Sequence, residues 1–410
     1  MSALSPIEQA AIATIDQSAM LAQVLAWSAV NSGSRNLPGL ATMAGLLADA
    51  CSTLPGPVEL ITPAPVEAVR ADGSVALIDH GQHLRLRVRP DAPMRMLFTG
   101  HMDTVFGVDD IFQSSQWLDG NILNGPGVAD MKGGIAVMLA ALQSLEAALD
   151  APRGGSTGHA IGYDVILNSD EEVGSLSSSR LIADCAKGKI AAFTYEPSAL
   201  PDGTLAGARP GSGNFSISIR GKSAHAGRNP QDGRNALVAA ADLAVRFKAA
   251  VRPGLAINPA RIDGGSANNV VPEMAVLRVN LRPGTLGDET TAKILLRDLT
   301  CAIALEHDVH VHLHGSFARP PKPIDKAAGR LFALVEAAGA DLGLTITHKD
   351  SGGVCDGNNI AACGVAVIDT MGVRGGSIHS SDEYLLVDSL SERAQLSIVS
   401  IMRIVAQGHI

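Results

Sequence analysis

The chain has 410 residues, of which 46% are hydrophobic, and a formal net charge of −9. This length predicts two domains, because a single hydrophobic core rarely extends beyond about 300 residues. The acidic balance excludes a basic nucleic-acid-binding surface, and no stretch reaches the apolar length of a membrane span. Five dispersed cysteines and an N-terminus without a basic, apolar leader indicate a reducing, cytoplasmic location.

The first half of the chain is predicted to contain two helices followed by an α/β pattern. Ser5-Pro6-Ile7-Glu8 predicts a capping box that opens a helix reaching Val30, and Pro38 opens a second helix. A helix from Met131 to about Leu149 and a surface loop over 151–158 follow further on. Apolar or alternating runs predict strands near 58–62, 74–79, 83–89, 94–100 and 163–167.

The pattern changes near Arg209-Pro210-Gly211. From there to residue 318 the predicted elements follow the order β-α-β-β-α-β, which is the ferredoxin-like arrangement of a small α+β domain. A proline-rich exit at 318–323 then leads back to the α/β pattern. The sequence therefore predicts an α/β domain of residues 1–208 and 319–410, interrupted by an inserted domain of residues 209–318.

Side chains that can bind metals cluster where predicted strands end. The strand MRMLF breaks at Gly100 and is followed by His101 and Asp103, which lie on the same side of an extended segment. Further candidates follow other strands or open loops: Asp130, Glu171, Glu172, Glu196 and His379. Each residue alone is more often a helix cap or a solvated charge. Together, however, two histidines and several carboxylates form the N/O ligand set that suits zinc.

The number of candidate ligands fits two ions better than one. The two groups would be His101, Asp130 and Glu196 for one ion, and Asp130, Glu172 and His379 for the other. Three protein ligands for each ion leave a position for water, which is typical of a catalytic site. This assignment leaves Glu171 free to act as a general base on the shared water.

Seven motifs carry a family resemblance. They are GHMDTV, GPGVADMKGG, NSDEEVGS, the EP after the next strand, GKSAHAG, GGSANNVVP and IHSSDEY. In order and spacing they resemble the M20 family of metallopeptidases. The resemblance implies a di-zinc catalytic domain, with a mixed central sheet flanked by helices, interrupted by a ferredoxin-like lid domain that forms a homodimer. It also implies that Co²⁺ or Mn²⁺ can replace Zn²⁺.

The same resemblance implies further site residues. Asp103 would support His101, and the peptide bond between Asp130 and Met131 would be cis. His225, in the lid, would reach the active site of the neighbouring subunit, where it would stabilise the oxyanion. Two other lid residues, Asn269 and Arg282, would bind the substrate.

The leading hypothesis is a zinc-dependent hydrolase that cleaves an amide bond next to a free carboxylate, similar to glutamate carboxypeptidase. A hydroxide bridging the two ions would attack the carbonyl, with Glu171 as the base. Its substrate would be a short peptide or an N-acyl amino acid. The alternatives are an N-acyl amino acid deacylase and a non-catalytic, metal-dependent dimeric binding protein. The presence of Glu171 favours an enzyme.

Overall fold

The computed structural model describes residues 4–150 and 161–410, so the predicted loop over 151–158 lies outside the described residues. The described helices are α1 Pro6–Ile12, α2 Gln17–Ser28, α3 Leu37–Cys51, α4 Gly134–Asp150, α5 Ser179–Ala186, α6 Ala236–Ala249, α7 Leu286–Glu306, α8 Lys326–Asp341, α9 Asp356–Ala362 and α10 Ser389–Gln407. The strands are β1 Val58–Ile61, β2 Val66–Val69, β3 Val75–Ile78, β4 His83–Val88, β5 Met94–His101, β6 Gln116–Trp117, β7 Ile122–Asn124, β8 Ile161–Asn168, β9 Ala191–Thr194, β10 Leu205–Ala206, β11 Ser212–Arg220, β12 Leu255–Gly264, β13 Met274–Pro283, β14 His310–Arg319, β15 His348–Lys349, β16 Val367–Ile368, β17 Gly375–Gly376 and β18 Tyr384–Leu386.

A six-stranded mixed sheet, in the order β1-β4-β8-β5-β9-β16, forms the centre of the larger part of the molecule. Strands β8, β5, β9 and β16 run parallel, whereas at one edge β4 pairs antiparallel with β8 and β1 pairs antiparallel with β4. Every residue of β8 is buried, which explains why its sequence is largely apolar and lacks the alternation of a half-buried strand. The predicted α/β fold with a mixed central sheet is confirmed. Because β5, β8 and β9 are parallel, the residues that follow their carboxyl ends meet at one edge.

A second sheet is formed entirely by residues between Ser212 and Arg319. Its strand order is β12-β13-β11-β14, all antiparallel, and the elements follow along the chain as β-α-β-β-α-β. Helices α6 and α7 pack on it around a separate hydrophobic core that includes Ile217, Leu243 and Leu277. This part of the chain therefore has its own sheet and its own core.

Two helix boundaries differ from the prediction. The expected single helix from residue 5 to Val30 is two helices, since Asp16 caps α2 by accepting hydrogen bonds from the N–H groups of Ser18 and Ala19. The capping box at Ser5 is confirmed. The helix expected from Met131 begins three residues later as α4, because Asp130 and Met131 have non-helical dihedral angles.

Sequence periodicity did not indicate two small sheets. Strands β2 and β3 form an antiparallel hairpin, of which only the second strand was predicted. Strands β17, β18, β7 and β6 form a four-stranded antiparallel sheet from segments of two or three residues. This sheet joins the segment that precedes Asp130 to the loop that contains His379, so it contributes to the site described below.

The expectation that no stretch is long and apolar enough to cross a membrane is wrong for one helical stretch among the described residues, Val128–Asp150, but 94% of its most apolar part is buried inside the fold. It is therefore a core element that packs on the central sheet. All five cysteines are free, as expected for a protein without a disulfide framework.

The chain leaves the central part of the molecule for the second sheet near Arg209 and returns near Lys322. These two positions are in direct contact. Each residue donates its backbone N–H to the carbonyl oxygen of the other at 2.9 Å. Both side chains also bind the buried carboxylate of Asp369, Arg209 through two nitrogens at 2.8 and 3.1 Å and Lys322 at 3.0 Å. Burial alone would raise the pKa of Asp369, but these two cations lower that pKa to about 2.

The substitution Asp369→Asn should destabilise the protein strongly, because it leaves two buried cations without a counter-charge. We expect the free energy of unfolding to fall by about 3–5 kcal/mol. Urea denaturation at neutral pH measures this change. As a control, Asp184→Asn removes the carboxylate of an exposed ion pair with Lys187, and should leave the denaturation midpoint almost unchanged. Equal midpoints for the wild type and Asp369→Asn would contradict the prediction.

Candidate metal centre

Three parallel strands place most of the candidate ligands at one edge of the central sheet. His101 is the last residue of β5, Glu171 and Glu172 follow β8, and Glu196 follows β9. Asp130 comes from the turn before α4, and its peptide bond to Met131 is cis, as predicted. His379 comes from the loop before β18 and has a left-handed backbone conformation, with φ 64°.

The carboxylate of Asp130 lies between the two histidines. Its Oδ1 is 3.1 Å from Nε2 of His101, and its Oδ2 is 3.3 Å from Nε2 of His379. Glu196 Oε2 lies 3.7 Å from His101 Nε2, and Glu172 Oε2 lies 3.1 Å from His379 Nε2. The predicted ligands therefore form two groups of three that share Asp130, each compact enough to hold one metal ion.

The electrostatics of the cluster favour bound cations. Burial, together with repulsion from neighbouring carboxylates, raises the pKa of Glu171 to about 7 and that of Glu172 to about 8. The Oε1 atom of Glu196 is buried and has no hydrogen-bond partner among the described residues. A buried carboxylate oxygen without a partner is costly, and a metal ion would satisfy it. The donor set of imidazole and carboxylate fits zinc.

Asp103 is fully buried and connects His101 to the glutamates. The backbone carbonyl of Asp103 lies 2.9 Å from His101 Nδ1, whereas its carboxylate Oδ1 is 3.5 Å away. The carboxylate accepts hydrogen bonds from the N–H groups of Glu171 and Glu172 at 3.1 and 3.2 Å and from Ser34 Oγ at 2.7 Å. Asp103 thus orients His101 mainly through its backbone carbonyl group. Its side chain holds the segment that contains Glu171 and Glu172.

The carboxylate of Glu171 is in neither ligand group, and Arg319 holds it. Arg319 Nη2 lies 2.7 Å from Glu171 Oε1 and donates to the Glu171 carbonyl oxygen at 2.9 Å and to Ser175 Oγ at 2.8 Å. Ser175 and Asn168 in turn donate to the buried carboxylate of Asp356. This network fixes Glu171 beside the two ligand groups.

The three predicted lid residues are all exposed and lie outside this cluster. His225 accepts hydrogen bonds at Nδ1 from the N–H groups of Gly227 and Arg228, both at 3.1 Å. Within residues 4–150 and 161–410, neither His225 nor Asn269 is hydrogen-bonded or ion-paired to the metal-ligand groups. Arg282 donates from Nη1 to the carbonyl oxygen of Gly352 at 2.9 Å, so it faces the loop before α9.

Sequence reasoning missed two residues that support the cluster. Arg319 is the last residue of β14. Its only sign in the sequence is that it is a single arginine in the proline-rich segment that follows the predicted inserted domain. Glu383 lies four residues after His379, inside the motif IHSSDEY, and is buried with its carboxylate against the turn that contains Asp130. The sequence offered one signal for Glu383, namely a carboxylate in the same motif as the predicted ligand His379.

Comparison with known proteins identifies relatives over most of the chain. A sequence model of peptidase family M20/M25/M40 matches residues 97–402. Carboxypeptidase G2 of Pseudomonas sp. (strain RS-16) is 30% identical over 337 residues, which cover 78% of this chain and 77% of that protein. Succinyl-diaminopimelate desuccinylase of Verminephrobacter eiseniae is 29% identical over 315 residues, covering 72% and 75% of the two chains.

The fold also matches solved structures. A tripeptidase of Staphylococcus aureus superposes with a TM-score of 0.72 at 22% sequence identity, covering 96% of this chain and all of that one. The relatives define this protein as a hydrolase that acts on C–N bonds. The chain belongs to peptidase family M20/M25/M40, whose metallopeptidases are metal-dependent, and the predicted resemblance is confirmed.

Proposed function

We propose that this protein is a di-zinc hydrolase that cleaves an amide bond next to a free carboxylate, as a glutamate carboxypeptidase does. One observation carries the proposal. Two groups of three ligands share the two oxygens of Asp130, and the buried carboxylate of Glu171 lies beside them without belonging to either. A closed structural site would not need this additional glutamate.

In this proposal each ion has three protein ligands. His101, Asp130 and Glu196 hold one ion, and Asp130, Glu172 and His379 hold the other, with Co²⁺ or Mn²⁺ as substitutes for Zn²⁺. When bound, the two ions would polarise the amide carbonyl and lower the pKa of a water molecule. The imidazole of His101 is oriented for this role by its contact with the Asp103 carbonyl.

Glu171 is the proposed general base. It takes a proton from the attacking water and then gives that proton to the nitrogen of the leaving amine. Its carboxylate is buried beside the two ligand groups but belongs to neither, so it is free to accept and then release a proton. Arg319 restrains the carboxylate through Oε1, which leaves Oε2 available to the water.

The substrate and the dimer involve the second sheet. We infer that residues 209–318 form a lid on a catalytic domain of residues 1–208 and 319–410, in a cytoplasmic homodimer. Arg282 and Asn269 would bind the carboxylate of the substrate, since a guanidinium group can bind a carboxylate with two parallel hydrogen bonds. His225 of the partner subunit would donate to the oxyanion that forms from the carbonyl oxygen.

A second candidate is the deacylation of N-acyl amino acids. The match to a succinyl-diaminopimelate desuccinylase at 29% identity supports it. Both reactions hydrolyse an amide with the same groups, so only the recognition of the substrate separates them. A non-catalytic binding protein is disfavoured by the intact Glu171.

Hydrolysis of a substrate panel tests the proposal. Bound metal is removed with a chelator and replaced by Zn²⁺, and the protein is assayed for amine release from C-terminal glutamyl dipeptides, folyl-glutamate-like compounds, and N-acetyl and N-succinyl amino acids. We expect zinc-dependent release of glutamate to be fastest. Faster hydrolysis of the N-acetyl or N-succinyl compounds would favour the deacylase, and no hydrolysis of any compound by a protein with two bound zinc ions would contradict both.

A further inference from the structure

Glu383 is a buried carboxylate outside the proposed ligand set. It is 1% exposed, and its side chain accepts three hydrogen bonds from backbone amides of the turn before α4. Oε1 accepts from the N–H groups of Ala129 at 2.9 Å and Asp130 at 3.0 Å, and Oε2 accepts from Gly127 at 3.2 Å. A carboxylate can accept all three bonds because each of its oxygens has two lone pairs.

The backbone around Glu383 is attached to the same turn. The carbonyl oxygen of Glu383 accepts hydrogen bonds from the N–H of Gly125 at 3.3 Å and from Asn124 Nδ2 at 2.7 Å. Asn124 Nδ2 also donates to the carbonyl of Ser381 at 3.0 Å, and β18 pairs with β7 directly beyond. The loop that contains His379 and the turn that contains Asp130 are therefore one hydrogen-bonded unit.

This arrangement fixes the residue that both ions would share. Oε1 of Glu383 binds the amide of Asp130 itself, so it sets the direction in which the Asp130 side chain leaves the backbone. With that direction fixed, Oδ1 faces His101 and Oδ2 faces His379. A small rotation of the turn would move both oxygens together, away from both histidines.

We propose that Glu383 is a positioning residue for Asp130 and that it sets the affinity of both metal positions at once. The inference rests on the proposed metal centre. A purely structural role would give a different result, because loss of a buried hydrogen-bond acceptor would then lower the stability of the metal-free protein without a specific change in metal affinity.

The test is metal binding by the variant Glu383→Gln. This substitution keeps the shape of the side chain but turns an NH₂ group toward at least one amide donor, so that one of the three hydrogen bonds is lost. The control is Glu8→Gln. Glu8 is also a buried glutamate that accepts a backbone N–H, from Ser5 at 2.7 Å, but it lies in α1 and pairs with Arg403.

Zinc dissociation constants are measured by competition with a chromophoric chelator, and the visible absorption of the Co²⁺-loaded proteins reports coordination geometry. For Glu383→Gln we expect both constants to rise about ten- to a hundredfold, as is typical when a residue that orients a metal ligand is removed. The Co²⁺ spectrum should change as well. Glu8→Gln should match the wild type in both measurements.

Three outcomes would overturn the inference: wild-type constants for both ions, a loss confined to one ion, or the same loss in Glu8→Gln. A wild-type protein that binds no zinc would instead overturn the proposed metal centre and this inference with it. If metal-free Glu383→Gln does not fold, Asn124→Ala replaces it, because it removes two hydrogen bonds to the same loop. That variant should also weaken the binding of both zinc ions, and unchanged dissociation constants would overturn the inference.

Discussion

The variant Glu171→Gln should retain both zinc ions and lose almost all activity. Removal of a general base typically lowers kcat by about a hundred- to ten-thousandfold. The amide oxygen of glutamine can still accept a hydrogen bond from Arg319, and the Asp356 carboxylate, 3.6 Å away, remains as a counter-charge for that arginine. The measurements are kcat on the best substrate of the panel and zinc content by atomic absorption.

Glu146→Gln is the matched control for this experiment. Glu146 also pairs with an arginine, Arg89, at 2.6 Å and is largely buried, but it lies on α4 away from the metal cluster. It should leave kcat unchanged. Turnover near the wild-type rate in Glu171→Gln would exclude Glu171 as the base, and a loss of zinc in that variant would identify it as a ligand instead.

His225 should act in the partner's active site, and its removal should lower kcat by about a hundred- to a thousandfold. Its Nδ1 accepts two backbone N–H groups, so the neutral ring has its proton on Nε2 and can donate to an oxyanion. His225 is exposed, and Nε2 has no hydrogen-bond partner among the described residues. This side chain is therefore available to a neighbouring molecule.

Mixing two inactive variants tests this role. Glu171→Gln and His225→Ala are combined under conditions that allow subunits to exchange. Half of the dimers are then mixed, and in each of them one site has both groups, so recovery should reach about a quarter of the wild-type activity. The control is the same mixture cross-linked before mixing, which prevents exchange. An absence of recovery after demonstrated exchange would show that His225 acts within its own subunit.

The sequence predicted the parts of this molecule that local patterns encode. Strands β5 and β8 were recognisable because each contains a run of apolar residues, and most of the candidate metal ligands were recognisable because they follow such a strand or open a helix. The contacts of Glu383 and Arg319 could not be predicted in the same way. Both depend on segments more than a hundred residues apart, Arg319 reaching back to Glu171 and Glu383 to Asp130.

The small sheet that contains β7 and β18 shows the same limit. Its strands have two or three residues, too few for an alternating pattern to stand out from a loop. The break between α1 and α2 had a local signal in Asp16, but the apolar residues on either side suggested one continuous helix. Tertiary pairing, which a single sequence does not display, determines these features.

The contact between Arg209 and Lys322 bears on how the two parts of the chain can fold. More than a hundred residues separate the two positions, yet their backbones are directly hydrogen-bonded to each other. The segment between them therefore forms a loop whose two ends meet beside the central sheet. The entropic cost of closing such a loop increases only slowly with its length. Once that segment has folded around its own core, its two ends are already close together. Formation of the central sheet then costs little additional entropy, although the segment interrupts it in the sequence. The same geometry would let a short turn replace residues 210–321 while β10 and α8 keep their places in the fold.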